Sequence, residues 1–177
     1  PFLDDPSIGV LFGSITLLIV VSAYFSGSET AMMALNRYRL KHLANEGHRG
    51  ARKANKLLER PDRLLGVILI GNNLANFTAA SLATILAIEV LGEDGVAWAP
   101  IICTIVFLVF AEVAPKTIAA VYPERVALPS SYLLEFLLWI AFPFVWLTNA
   151  LANGLLQLVG VRHDDASEDH LSVEELR

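Results

Sequence analysis

The chain has 177 residues, 55% of them hydrophobic and only 18% charged, with a mean hydropathy of +0.55 and a formal net charge of −5. Soluble domains carry closer to about a quarter charged residues, so this composition excludes an ordinary soluble domain and indicates an integral membrane one. The single cysteine, Cys103, excludes an intrachain disulfide.

The first apolar stretch, "IGVLFGSITLLIVVSAYF" from Ile8, is long enough to cross a bilayer, which needs roughly 20 apolar residues as helix. It is read as a span over about 8–34. Asp4 and Asp5 precede it where a secretory signal would place Lys or Arg, so it is not read as a signal peptide.

Residues 36–63 follow as a basic loop. Nine of the thirteen Lys and Arg residues fall here (Arg37, Arg39, Lys41, Arg49, Arg52, Lys53, Lys56, Arg60, Arg63), against only Glu46, Glu59 and Asp62. The positive-inside rule makes this loop cytoplasmic and puts the N-terminus outside. Leu40, Leu43, Ala51, Ala54, Leu57 and Leu58 recur near helical spacing, which predicts amphipathic juxtamembrane helices. Because the loop abuts two spans, its charge is read as topology and attraction to anionic lipid rather than nucleic-acid binding.

A second span is predicted over 64–91 and a third over 96–122, joined by the short outside turn "GEDG" from Gly92 to Gly95. Cys103 lies within the third and is read as packing. A fourth hydrophobic segment, 126–160, contains Glu135 and, near its centre, Pro143. A single kinked span would put the tail outside, whereas a shallow hairpin bent at Pro143 would keep it in the cytoplasm. The cytoplasmic C-terminus is the expected one. The four histidines lie outside the spans without zinc-motif spacing and read as solvated surface. Residues 161–177 are acidic, and Ser172 with Glu175 has capping-box spacing, as at the start of a linker to a cytosolic domain. The expected fold class is all-α integral membrane: three transmembrane helices, amphipathic juxtamembrane helices and a proline-broken fourth hydrophobic segment.

Each span carries a polar insertion. In the second, Gly71, Ala75, Ala79, Ala83 and Ala87 form an i, i+4 series of small residues suited to close helix packing. At about 100° per residue, Asn72 and Asn76 fall within the arc of that face and Asn73 outside it. Buried amides are ordinarily interhelical glue, worth about 1 kcal/mol each. In the third span Glu112 is an intramembrane carboxylate, a functional site by default, with Lys116 at i+4 as an ion-pair partner unless it snorkels to the interface. Pro115 has no N–H, so the Ala111 carbonyl loses its α-helical donor beside Glu112. Freed backbone oxygens beside an inward acid are how transporters assemble cation sites; the alternative is a plain proline kink, which is common in spanning helices. In the first span "YFSGSET" places Ser26 and Ser28 around Gly27, followed by Glu29, while Ser22 and Ser26 also fit a small-residue packing pair. Every donor offered is a hard oxygen, which suits Mg²⁺ or Na⁺ rather than zinc, copper or iron.

The segments "FSGSETAMMALNRYRLKHL", "ERPDRLLGVILIGNNLANF" and "FAEVAPKTIA", in that order, resemble the transmembrane domain of the CorC/CNNM family of magnesium transporters, bacterial haemolysin-like membrane proteins. The resemblance covers essentially the whole chain. It implies a homodimer in the cell membrane (inner or plasma), three spans with a belt of juxtamembrane helices, and a cytosolic CBS-pair domain following in the full-length protein. It also implies Mg²⁺ export, with Na⁺ entry as the proposed coupling. The metal ligands it implies are Ser26, Asn72, Glu112 and the carbonyl of Ala111. Many relatives carry glycine at the Ala111 position; alanine keeps the oxygen but narrows the backbone angles. Gly27, Ser28, Glu29, Asn76, Pro115 and Lys116 are the expected surrounding or pathway residues. The rival reading is a non-transporting Mg²⁺ sensor or scaffold. An enzyme is not expected, since no nucleophile stands beside a base in the sequence.

Overall fold

The computed structural model describes residues 6–158, and every regular element in that range is helical. Helix α1, Pro6–Ala34, has 29 residues and α4, Pro61–Leu91, has 31. At 1.5 Å per residue both exceed a hydrocarbon core of about 30 Å. Three stretches are long and apolar enough to cross a membrane among the described residues: Ile8–Ala34, Pro61–Val121 and Pro123–Phe144. The second of these contains a helical hairpin.

Between α1 and α4 lie two short basic helices, α2 (Arg37–Asn45) and α3 (Arg49–Leu57). Asn36 starts α2 in extended conformation, its side chain accepting the Arg39 N–H at 3.1 Å. The helix closes with a Schellman motif: the His48 N–H reaches the Leu43 carbonyl, and the Gly47 N–H that of Ala44. Gly47 takes the left-handed conformation this requires, with φ 94°. The His48 side chain is not merely solvated surface, as its spacing suggests, because its Nδ1 accepts the Ala51 N–H and caps α3. His163 and His170 lie outside the described residues.

The apolar sides of α2 and α3 bury Leu40, Ala51, Ala54 and Leu57 in one core with Met32 of α1, Leu35 just beyond its end, and Leu64, Val67 and Ile68 of α4. The core therefore sits at the end of the bundle where α1 stops and α4 starts. Elsewhere the spans present Phe12, Leu17 and Val20, or Ile101, Ile105 and Leu108, to the outside. An exterior of that kind is solvated by lipid tails, which provide no hydrophobic drive for burying it.

The α4 helix ends at Gly92, whose φ of 73° turns the chain through a 3-10 turn, Gly92–Asp94. Helix α5, Gly95–Val106, then returns along α4. Gly95 makes this possible, since a Cβ there would lie 2.2 Å from the Ala87 carbonyl oxygen. The returning helix widens into a π-helix over Phe107–Val113 and resumes as α6, Ala114–Val121.

Helix α7, Pro123–Leu158, contains Pro129 and Pro143. The hairpin at Pro143 that would keep the tail inside is not what forms: helical backbone continues through the proline. A proline removes one backbone donor and crowds the carbonyl four residues back, but intact turns on both sides can carry the helix past it. The Glu135 side chain pairs with Lys53 and sits 3.8 Å from Lys56 Nζ, tying α7 to the basic face of α3. Ser131 Oγ lies 2.7 Å from the Leu128 carbonyl oxygen and 3.1 Å from that of Gly50.

A candidate cation site at the widened helix

The polar insertions of the three spans meet in one place, and local backbone chemistry on the third spanning helix, the continuous run of α5, π turn and α6, explains why. The Ala114 N–H bonds the Val109 carbonyl, five residues back, instead of Phe110. Pro115 has no N–H to give Ala111. Neither Phe110 nor Ala111 thus has its α-helical donor, so two successive carbonyls lose that bond rather than the one expected from Pro115 alone. Single-turn π segments within α-helices are frequent at functional sites. Ala111 is fully buried and Glu112 follows it with a partly exposed side chain.

Across from this turn, α1 presents Ser22 and Ser26 on one face, both 0% exposed; Ser28 is equally buried but lies on another face of the helix. Ser26 donates to Glu112 Oε2 at 3.4 Å. From α4, the Asn72 side-chain N–H₂ donates to Glu112 Oε1, also at 3.4 Å. Both are long against the usual value of about 2.9 Å and leave the carboxylate loosely held by its neutral partners. The strong partner is Lys116, whose Nζ lies 2.9 Å from Glu112 Oε2 and 4.0 Å from Glu29 Oε2. Ser26, Asn72, Glu112, Lys116 and Glu29 form one cluster, with Ala111 in the backbone beside it. Its two carboxylates and one ammonium give a formal charge of −1.

The remaining expected residues divide. Gly27 packs on Pro115 and allows α1 and the third helix to approach. Asn73 is exposed, as the arc of the small-residue face requires. Asn76 faces α1 but meets Ser22, not the carboxylate: Ser22 Oγ lies 2.5 Å from Asn76 Oδ1 and 2.7 Å from Asn72 Oδ1. With a single proton, Ser22 donates to one amide and accepts from the other once that amide is turned. Ser28 points away from the cluster, donating to Ser130 of α7 at 3.0 Å, and Tyr24 donates to the Ser130 carbonyl at 3.3 Å.

Ser22 is the residue that sequence reasoning placed only as packing. The available signal was its position one turn before Ser26 on the same face, opposite two amides. Among the described residues, no three His, Cys, Asp or Glu side chains gather closely enough to hold a metal ion by themselves. A cation here would rely on one carboxylate together with hydroxyl, amide and backbone oxygens.

Residues 13–177 match the cyclin M transmembrane N-terminal domain family. The chain is 54% identical over 157 residues to the UPF0053 inner membrane protein YfjD of Escherichia coli K12, covering 89% of this chain and 37% of that protein. It is 46% identical over 175 residues to a UPF0053 protein of Haemophilus influenzae, covering 99% and 41% respectively. A polyamine export protein of Salmonella typhimurium is 33% identical over 183 residues, covering 87% of this chain and 38% of its own length. The chain thus spans about two fifths of the length of these relatives. Its apolar helices and these relatives make it a multi-pass membrane protein, and it belongs to the cyclin M transmembrane domain family.

Proposed function

We propose that this chain is the ion-handling membrane domain of a Mg²⁺ exporter, with Na⁺ entry as the coupling reaction. The observation that carries the reading is the convergence of Ser26, Asn72 and Glu112, from three helices, on a π-widened turn where two carbonyls lack their α-helical donors. These are hard oxygen ligands of the kind Mg²⁺ takes.

Two adjacent ligand oxygens on an octahedral Mg²⁺, at about 2.0–2.1 Å from the ion, stand about 2.9 Å apart. The Ser26 to Glu112 separation of 3.4 Å therefore closes by about half an ångström on loading. Asn72 turns its amide so that Oδ1 faces the ion and its N–H₂ faces Ser22, whose hydroxyl accepts it. The Ala111 carbonyl completes the protein ligands from the widened turn. Alternating access follows from movement of α1 against the third helix.

The rest of the proposed assembly is a homodimer with its N-terminus outside, its C-terminus in the cytoplasm, and residues 161–177 leading to a cytosolic CBS pair. Support for the C-terminal side comes from Glu135, twelve positions into α7 yet held by Lys53 and Lys56 of the basic loop. That pairing holds the first half of α7 along the cytoplasmic interface, so in this reading the unbroken helix lies on that surface instead of crossing, and its C-terminal end stays on the cytoplasmic side.

Calorimetric titration of the purified protein with Mg²⁺, with Ca²⁺ and Na⁺ as competitors, tests the site. Saturable Mg²⁺ binding that is lost in Glu112→Gln, in a variant that still folds, is the expected result. Unchanged affinity in that variant would sink the assignment.

A second reading has its own observation. Lys116 sets a primary ammonium between the carboxylates of Glu112 and Glu29, an arrangement an organic polyamine could copy. The relative from Salmonella typhimurium is a polyamine export protein. Spermidine displacing bound Mg²⁺ from the wild type, with flux of spermidine in sealed vesicles, would favour this cargo.

A further inference from the structure

We infer that Lys116 is a tethered counter-cation: it holds the Glu112 carboxylate while the site is empty and passes to Glu29 when a transported cation takes Glu112. This rests on the proposed cation site and assigns that site the residue which any incoming ion must displace. All three side-chain partners of Glu112 are donors, namely the Ser26 hydroxyl, the Asn72 amide and the Lys116 ammonium. An oxygen cage for a cation needs the opposite polarity, so loading requires the ammonium to leave.

The exit is already built. Glu29 Oε2 lies 4.0 Å from Nζ on the other side, supplied by a different helix. Gly27 fixes this relation, because its contact with Pro115 brings Glu29, two residues along α1, over Lys116, one residue past the proline. A lysine stem has four flexible carbons, so exchange between acceptors at 2.9 and 4.0 Å needs no backbone movement. The side chains of Lys116, Glu112 and Glu29 are 42%, 30% and 29% exposed, an open arrangement in which partners can exchange. Charge also balances. The empty cluster carries −1; after the shift, Lys116 neutralises Glu29 and leaves the whole Glu112 charge to the incoming ion.

A double-mutant cycle read by Mg²⁺ calorimetry tests the inference. Lys116→Met should tighten binding about tenfold or more, and Glu29→Gln should weaken it by about tenfold, each factor of ten being one ordinary interaction. In the Lys116→Met background Glu29→Gln should then have no effect, since Glu29 acts on the ion only through the lysine. An equal loss in both backgrounds would overturn the inference, because Glu29 would then act on the ion directly.

A second measurement needs no substitution. Carbodiimide joins a lysine to the carboxylate it touches as an amide, the water lost hydrating the carbodiimide to a urea, and peptide mass spectrometry locates the bond. In the wild type without Mg²⁺ the amide should link Lys116 to Glu112; with saturating Mg²⁺ it should move to Glu29. Mg²⁺ binding with the Lys116–Glu112 link undiminished would reject the tethered cation and keep the site. Absence of Mg²⁺ binding in both wild type and Lys116→Met would reject the site and the inference together.

Discussion

Gly27 of α1 lies against Pro115 of the third helix so closely that a Cβ on the glycine would stand 3.5 Å from both the proline carbonyl oxygen and its Cβ. That contact sets the distance across which Ser26, Glu29, Glu112 and Lys116 interact. It is ordinary van der Waals contact, so it discriminates by size. Gly27→Ala is expected to fold and bind Mg²⁺ within about threefold of wild type. Gly27→Leu forces the helices apart at a cost of about 1–3 kcal/mol and should abolish binding. Calorimetry alongside thermal unfolding in detergent separates the two effects.

The hairpin between α4 and α5 depends on a different glycine. At Gly95 an added Cβ would meet backbone, the Ala87 carbonyl oxygen at 2.2 Å, which cannot swing aside. Gly95→Ala should lower stability by about 1–3 kcal/mol, the range for overpacking. Gly92→Ala meets open space and suffers only from its φ of 73°, so its expected cost is about 1 kcal/mol. The order of the two melting temperatures checks this.

At Gly71 a Cβ would lie 2.3 Å from the ring of Phe25. A methyl there displaces a ring that is 7% exposed from its place in the core. Gly71→Ala should therefore lower stability and, because Asn72 is the next residue, weaken Mg²⁺ binding as well. Truncating the ring in a Gly71→Ala, Phe25→Leu double variant should restore part of the binding, and failure to recover would show that crowding is not the cause.

Ser22 links both site-facing amides to α1. Ser22→Ala leaves Asn72 and Asn76 without that hydroxyl, at an expected cost of about 1 kcal/mol from interhelical polar contacts. Asn76→Ala should cost a similar amount in stability while sparing most Mg²⁺ affinity. Asn72→Ala should remove the affinity. Equal loss of binding in the two asparagine variants would contradict the division of roles between them.

Hydropathy and charge, read along the chain, already determine that this protein is a helical membrane domain, because apolar length and the cost of unpaired backbone in lipid leave few alternatives. Glu112 and Pro115 are legible as anomalies for equally local reasons: a carboxylate in an apolar helix and a missing N–H. The side of α4 on which Asn72 and Asn76 lie is legible too, since helical periodicity alone sets it apart from Asn73.

Partner choice belongs to the tertiary structure. Ser26 and Ser28 differ by two residues on one helix, yet one turns to Glu112 and the other to Ser130, as the rotation of α1 between two neighbours decides. Pro115 announced one lost hydrogen bond, but only packing against Gly27 accompanies a whole turn, Phe107–Val113, opened into five-residue spacing. Pro143 left a kinked span and a reversal both open, and helical turns on both sides carry α7 through it. Local chemistry is written residue by residue, whereas the pairings that make a site depend on how closely and at what rotation the helices meet.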